Sequence, residues 1–216
     1  MLDLTVILPV RNAEPYVTTL ARQAAAVGRS LTEDGALDAP ARFEIVLLDE
    51  RSGDNTLAHV SLLHGQIPEL RTVQDVEPGR ALARAARVAQ GSAWLVLDHP
   101  VADDLARWAA AQVARGQVAA MVPGEVLALT RDLGVKVLGP LRGGLVAAQR
   151  AVRRATTQAD SPVAFSPAPR ADLRSRAVLR ARAVASRLGL ARLDRPRVFA
   201  APADPDEPRG GSGGLL

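Results

Sequence analysis

Residues 43–56 read FEIVLLDERSGDNT. Phe43 to Leu48 is a short apolar run, Asp49-Glu50 ends it abruptly, and Arg51-Ser52-Gly53-Asp54-Asn55-Thr56 carries the small polar residues of a turn. Such a run, bounded by turn residues, reads as a strand covered on both faces. Carboxylates directly at the end of a buried strand are costly unless something partners them. A base, a ribose or a metal ion would serve.

The same grammar repeats on either side. Leu4 to Val10 is a second β-branched run, followed by Ala13 to Val27 with Val17, Leu20, Ala21, Ala24 and Val27 at helical spacing. The polar stretch from Gly28 to Ala41 reads as a loop. Downstream, the pattern predicts a helix over Asn55–His64, a strand over Leu70–Val73, an Ala- and Arg-rich helix over Arg80–Gln90 ending at Gly91, and a strand over Ala93–Leu97. Asp103 or Asp104 opens another helix, with Leu105, Trp108, Ala109 and Val113 on one face and Gly116 as its stop; Val118–Val122 is strand-like again. Short buried strands alternating with longer helices imply a mainly parallel sheet with right-handed crossovers, a three-layer α/β/α sandwich.

After Pro123 the alternation weakens. Gly144–Ala155 reads as a helix, Val163–Phe165 as a brief strand and Asp172–Leu188 as an amphipathic helix, with nine arginines between Arg170 and Arg197. That arginine-rich face suits either core packing with a solvated side or an anionic membrane surface. Residues 203–216, rich in Pro, Gly and Asp, read as a disordered tail.

At 216 residues the chain suits one domain, expected over 1–202. Of its 27 basic residues all but Lys136 are arginine, yet the net charge is only +4, which does not select a partner. Aromatic residues make up 3% of the chain, too few for base stacking, so nucleic acid is not an expected partner. The absence of cysteine excludes thiol catalysis and cysteine zinc sites. No apolar run reaches the roughly 20 residues of a membrane span and the N-terminus has no basic leader. The expected location is cytoplasmic, with peripheral contact to the inner face of a membrane as the open alternative.

In open α/β sheets ligands bind beyond the carboxyl ends of the strands. Three such ends carry polar residues: Pro9-Val10-Arg11-Asn12-Ala13-Glu14, Asp49 through Thr56, and Asp98-His99-Pro100. Asn12 and Asp54-Asn55-Thr56 fit equally as helix caps or turn formers.

The ordered blocks ILPVRN, LLDERSGDNT and GRALARAARVAQGSAWLVLDHP resemble glycosyltransferase family 2, whose members begin with a strand and P-x-Y-N, continue with V-D-D-G-S-x-D-x-T, and reach a helix, A-x-G and a strand ending in D-x-D. LRGGLVAAQRAV is similar to the family's acceptor-side G-G-N-x-A-x-R-R segment. The resemblance implies a GT-A fold, with 1–123 as the nucleotide-binding half and 124–202 as the acceptor-side half.

It also implies a nucleotide-diphosphate sugar donor, with Pro9, Val10, Asn12, Asp49 and Glu50 around base and ribose, and a divalent cation, Mn or Mg, at Asp98. A cation there would neutralise the departing diphosphate. Where the family has its second metal carboxylate this chain has Pro100, leaving His99 as the second candidate donor, although hard ions prefer oxygen. Asp103 and Asp104 are the other nearby acids, and a helix N-terminus accounts for them.

Arg80, Arg84 and Arg87, three and four apart on a helix, could grip the diphosphate directly. Arg170 stands where the family's E-D motif places its general base, so Asp172 is the candidate base. A phosphate acceptor, already ionised and expected as a lipid phosphate at a membrane surface, would need none. The competing expectation is a catalytically inactive homologue that serves as a binding or scaffold module.

Overall fold

A computed structural model describes residues 3–33, 42–159 and 161–165. The apolar runs form Leu4–Val10 (β1), Phe43–Asp49 (β2) and Ala93–Val96 (β4), and the more polar, partly buried Leu70–Val73 forms β3. They pair in parallel in the order β3-β2-β1-β4, with Val10 opposite Asp49 and Ile7 opposite Val96. Ala119–Val122 (β5), Val126–Thr130 (β6) and Val163–Phe165 (β7) extend the sheet as β4-β6-β5-β7. β6 runs antiparallel to both neighbours, so the sheet is mixed.

Helices cover both faces, which is why the central strands can be largely apolar. On one face Val17–Glu33 (α1), Thr56–Leu63 (α2) and Asp103–Ala114 (α4) bury Leu20, Ala24, Val60, Ala106 and Val113 against Val6, Leu8, Ile45 and Leu95. On the other, Ala81–Val88 (α3), Arg131–Leu138 (α5) and Leu145–Gln158 (α6) bury Leu82, Ala85, Leu138, Leu145 and Val152 against Ile7, Val46, Trp94 and Leu129. The expected three layers are present.

Three readings need correction or completion. α1 does not stop at Gly28 but continues to Glu33. Gly28 lies where a Cβ would come within 2.5 Å of the Phe43 ring, so this glycine serves close helix–sheet approach rather than termination. β6 and α5 were not anticipated. α5 carries Gly134 in its interior, a residue that weakens a helix on propensity grounds; here it admits Trp94, whose ring a Cβ would meet at 2.3 Å. The 172–188 helix, Arg170, Asp172 and the 203–216 tail lie outside the described residues.

The amino-terminal end of the sheet holds a buried polar knot. Glu44 Oε1 accepts the Thr5 hydroxyl and the Gln90 amide, both at 2.8 Å, and Glu44 Oε2 accepts Arg71 at 2.9 Å. Thr5 Oγ1 in turn accepts the Gly91 amide at 2.8 Å. The carboxyl end, where the remaining acids sit, is the opposite edge. No helix among the described residues is long and apolar enough to cross a membrane.

Candidate functional site

The carboxyl ends of β2, β1 and β4 lie side by side, so Asp49 and Asp98 flank the end of β1. Each is two strands from the other, roughly 10 Å by strand spacing. Val10 O accepts the Glu50 amide at 2.9 Å, and Ile7 O accepts the Leu97 amide at 3.0 Å, which fixes both flanks to β1. Because β6 is antiparallel, its beginning also falls on this edge. Glu125, just before β6, thereby joins the site.

The loops after β1 and β2 are stitched to one another. Asn12 sits at φ 49°, its amide donates to Ser52 Oγ at 2.8 Å, and its Oδ1 accepts the Gly53 amide at 2.8 Å. The Ala13 amide donates to Thr56 Oγ1 at 2.7 Å, and the Glu14 amide to Asp54 Oδ2 at 3.1 Å. Glu14 returns the favour by accepting both the amide and side chain of Asn55, which holds its carboxyl below the ordinary value. Burial pushes Asp54 up, but hydrogen bonds from Thr56 outweigh it and leave it lowered. The structure therefore uses Asn12 and Asp54-Asn55-Thr56 to lock the rim.

Asp49 and Glu50 part company. Glu50, 4% exposed, turns to the other layer, where its Oε1 accepts the Ala81 amide at 3.1 Å and caps α3. Asp49 is 1% exposed; its Oδ2 accepts the Ser52 amide at 3.1 Å, and its buried Oδ1 has no hydrogen-bond partner. A buried carboxylate oxygen left unmatched calls for a partner, and a ligand on this edge is a candidate for it. Pro9 and Val10 are buried in β1 beside it.

Asp98, 5% exposed, is engaged by its neighbour: His99 Nδ1 lies 2.6 Å from Asp98 Oδ1, and His99 Nε2 lies 2.8 Å from Glu125 Oε2. Both contacts require ring N–H donors, which makes the ring an imidazolium. Burial opposes that charge, but the hydrogen bonds to Asp98 and Glu125 prevail and push the pKa up to about 9. The turn that carries Glu125 is held by Gln149 of α6. That buried amide accepts from the Gly124 amide and donates to Val122 O and Val126 O, each at 2.8 Å, clamping the β5–β6 turn.

This donor set does not fit the divalent ion expected at Asp98 and His99. Both nitrogens of His99 point at carboxylates and offer no lone pair, Pro100 contributes no side-chain ligand, and Asp98 and Glu125 lie on opposite sides of the ring rather than converging. Among the described residues no group of three or more His, Asp or Glu is arranged to hold a metal.

Arg80, Arg84 and Arg87 do come together, lining a groove of about 420 Å³ with Asp75, Glu77 and Gly139. Neither Asp49 nor Asp98 lines it. A larger groove, about 660 Å³, starts at Pro123-Gly124 beside Glu125 and runs along α6 past Arg150, Arg153 and Arg154. There Arg153 stacks over Phe165 at 5.8 Å.

Glu125 and Gln149 were not among the sequence candidates. Pro123-Gly124 between two apolar runs is the turn signal that would have exposed the hairpin and, with it, the edge on which Glu125 falls.

No protein-family model matches the chain, and no curated protein sequence matches it. Solved structures do match the architecture. A mannosyltransferase from Pyrobaculum calidifontis in complex with GDP-Man and Mn²⁺ is 19% identical with a TM-score of 0.55, covering 90% of this chain and 65% of that one. S. aureus TarS 1-349 in complex with UDP is 17% identical with a TM-score of 0.57, over 76% of this chain and 58% of that one. M. tuberculosis glucosyl-3-phosphoglycerate synthase is 16% identical with a TM-score of 0.58, over 91% and 82%. The chain thus spans less than two thirds of the first two. It has the GT-A fold of nucleotide-diphospho-sugar transferases.

Proposed function

We propose that the chain binds a nucleotide-diphosphate sugar across the carboxyl ends of β2, β1 and β4 and transfers the sugar to an acceptor. The observation that carries this is Asp49 Oδ1, a buried, unmatched acceptor beside Val10. The hydroxyls of a ribose or an N–H of a base would satisfy it. The rigid rim made by Asn12, Ser52 and Asp54 supports the reading, since preorganised loops lower the entropic cost of binding. Acceptors enter from the side of α6, whose Arg150, Arg153 and Arg154 favour a phosphate-bearing molecule, a lipid phosphate among them. With such an acceptor, attack by an already ionised oxygen needs no general base; with a hydroxyl acceptor, Asp172 is the candidate.

Calorimetric titration with GDP, UDP and their mannose and glucose conjugates tests the donor half. Binding of at least one, weakened by Asp49→Asn, is expected, and no binding across the panel would remove the reading. A second reading, a binding module without turnover, is favoured by the engagement of Asp98 with His99. Release of nucleoside diphosphate from a bound sugar conjugate, with or without acceptor, would eliminate that second reading.

A further inference from the structure

We infer that the chain grips the nucleotide's diphosphate without a divalent ion, the Arg11 guanidinium supplying the positive charge; this rests on the nucleotide reading above. The metal position is closed from within. Asp98 is bound to His99, His99 to Glu125, and the turn carrying Glu125 is held by three hydrogen bonds between its backbone and buried Gln149, which accepts one and donates two. An ion taking Asp98 would have to displace a hydrogen-bonded ring that is tied to a clamped turn.

Positive charge must then come from the protein. Arg11 is the first residue after β1, between the strand ends that carry Asp49 and Asp98. It is half-buried, and it makes no ion pair or hydrogen bond among the described residues. Its neighbours on this edge differ: Arg51 is paired with Asp75 at 2.8 Å, while Arg80, Arg84 and Arg87 line a separate groove.

Arg11, a half-buried residue whose guanidinium makes no bond among the described residues, and the unmatched buried Oδ1 of Asp49 thus belong to adjoining strand ends. That pair is complementary to a ligand that offers O–H or N–H donors at one end and anionic oxygens at the other, as a nucleoside diphosphate does. Guanidinium forks suit phosphate oxygens without needing a metal to bridge them.

The test is calorimetry of GDP, UDP, guanosine, uridine and pyrophosphate in EDTA and in Mn²⁺, with wild type, Arg11→Met and Asp98→Asn, alongside Mn²⁺ alone followed by electron paramagnetic resonance. The expected result is diphosphate affinity within about twofold in the two buffers, and a loss of about tenfold or more in Arg11→Met that spares the nucleosides. Tight Mn²⁺ binding that disappears in Asp98→Asn overturns the inference whether or not nucleotides bind. So does unchanged diphosphate affinity in Arg11→Met, or an equal loss for diphosphates and nucleosides, which marks a structural arginine. Failure of every nucleotide and nucleoside together, with no tight Mn²⁺ site, instead removes the nucleotide reading and this inference with it.

Discussion

Glu50 Oε1 accepts the backbone amide of Ala81 at 3.1 Å, so a carboxylate at the end of β2 serves as the cap of α3. Arg80, at the N-cap, makes no side-chain cap of its own. Glu50→Ala is therefore expected to cost about 1–2 kcal/mol in urea unfolding. Its effect on nucleotide affinity should be smaller than that of Asp49→Asn, because the carboxylate faces the helix.

Asp49 presents the opposite balance. In Asp49→Asn the amide oxygen can keep the Ser52 bond while the NH2 takes the unmatched position, so ligand-free stability should change by no more than about 1 kcal/mol. The same substitution should shrink the thermal shift produced by GDP or UDP. A thermal shift with GDP or UDP unchanged by the substitution would contradict the assignment of Asp49 as a position completed by a ligand.

His99 makes stability depend on pH in a definite sense. Its folded pKa is raised from 6.5 to about 9, so the stabilisation is fully present below about pH 6.5 and is lost as pH rises through about 9. The amount is on the order of 3 kcal/mol. NMR titration of the ring should give a pKa near 9 in the wild type, and Glu125→Gln should lower it. A wild-type ring titrating near the ordinary histidine value would exclude the double carboxylate clamp.

Glycine positions give a contrast within one protein. A Cβ at Gly91 would lie 2.6 Å from the backbone of Leu4 and Thr5, and neither atom can swing aside. At Gly53 nothing lies within 4 Å. Gly91→Ala is expected to destabilise by about 2 kcal/mol or more, whereas Gly53→Ala should be close to neutral, both read from chemical denaturation.

The sheet's parallel half was legible because β1, β2 and β4 are mostly apolar runs followed by polar residues, with acids directly at the ends of β2 and β4, a pattern produced by burial on both faces. The β5–β6 hairpin and α5 were less so. VLALT is short, and Gly134 lowers the helical signal of the segment after it, for a reason that lies in the Trp94 ring and not in the local sequence. The strand-end acids could be found by position alone. What each one does could not: adjacent Asp49 and Glu50 face different partners, and the role of His99 depends on Glu125, 26 residues away, which reaches it through the direction of β6.

The knot of Thr5, Glu44, Arg71 and Gly91 has a consequence for the order in which the chain can assemble. Its hydrogen bonds span 39 residues between Thr5 and Glu44 and 86 between Thr5 and Gly91. Closing loops of that length is entropically costly and rewarded late, so the parallel half cannot be nucleated by neighbours in sequence. During synthesis the Thr5 hydroxyl can reach Glu44 once β2 has emerged, but the Gly91 amide that donates to the same oxygen, just ahead of β4, arrives only later. The β5–β6 hairpin closes over a few residues and needs no such wait.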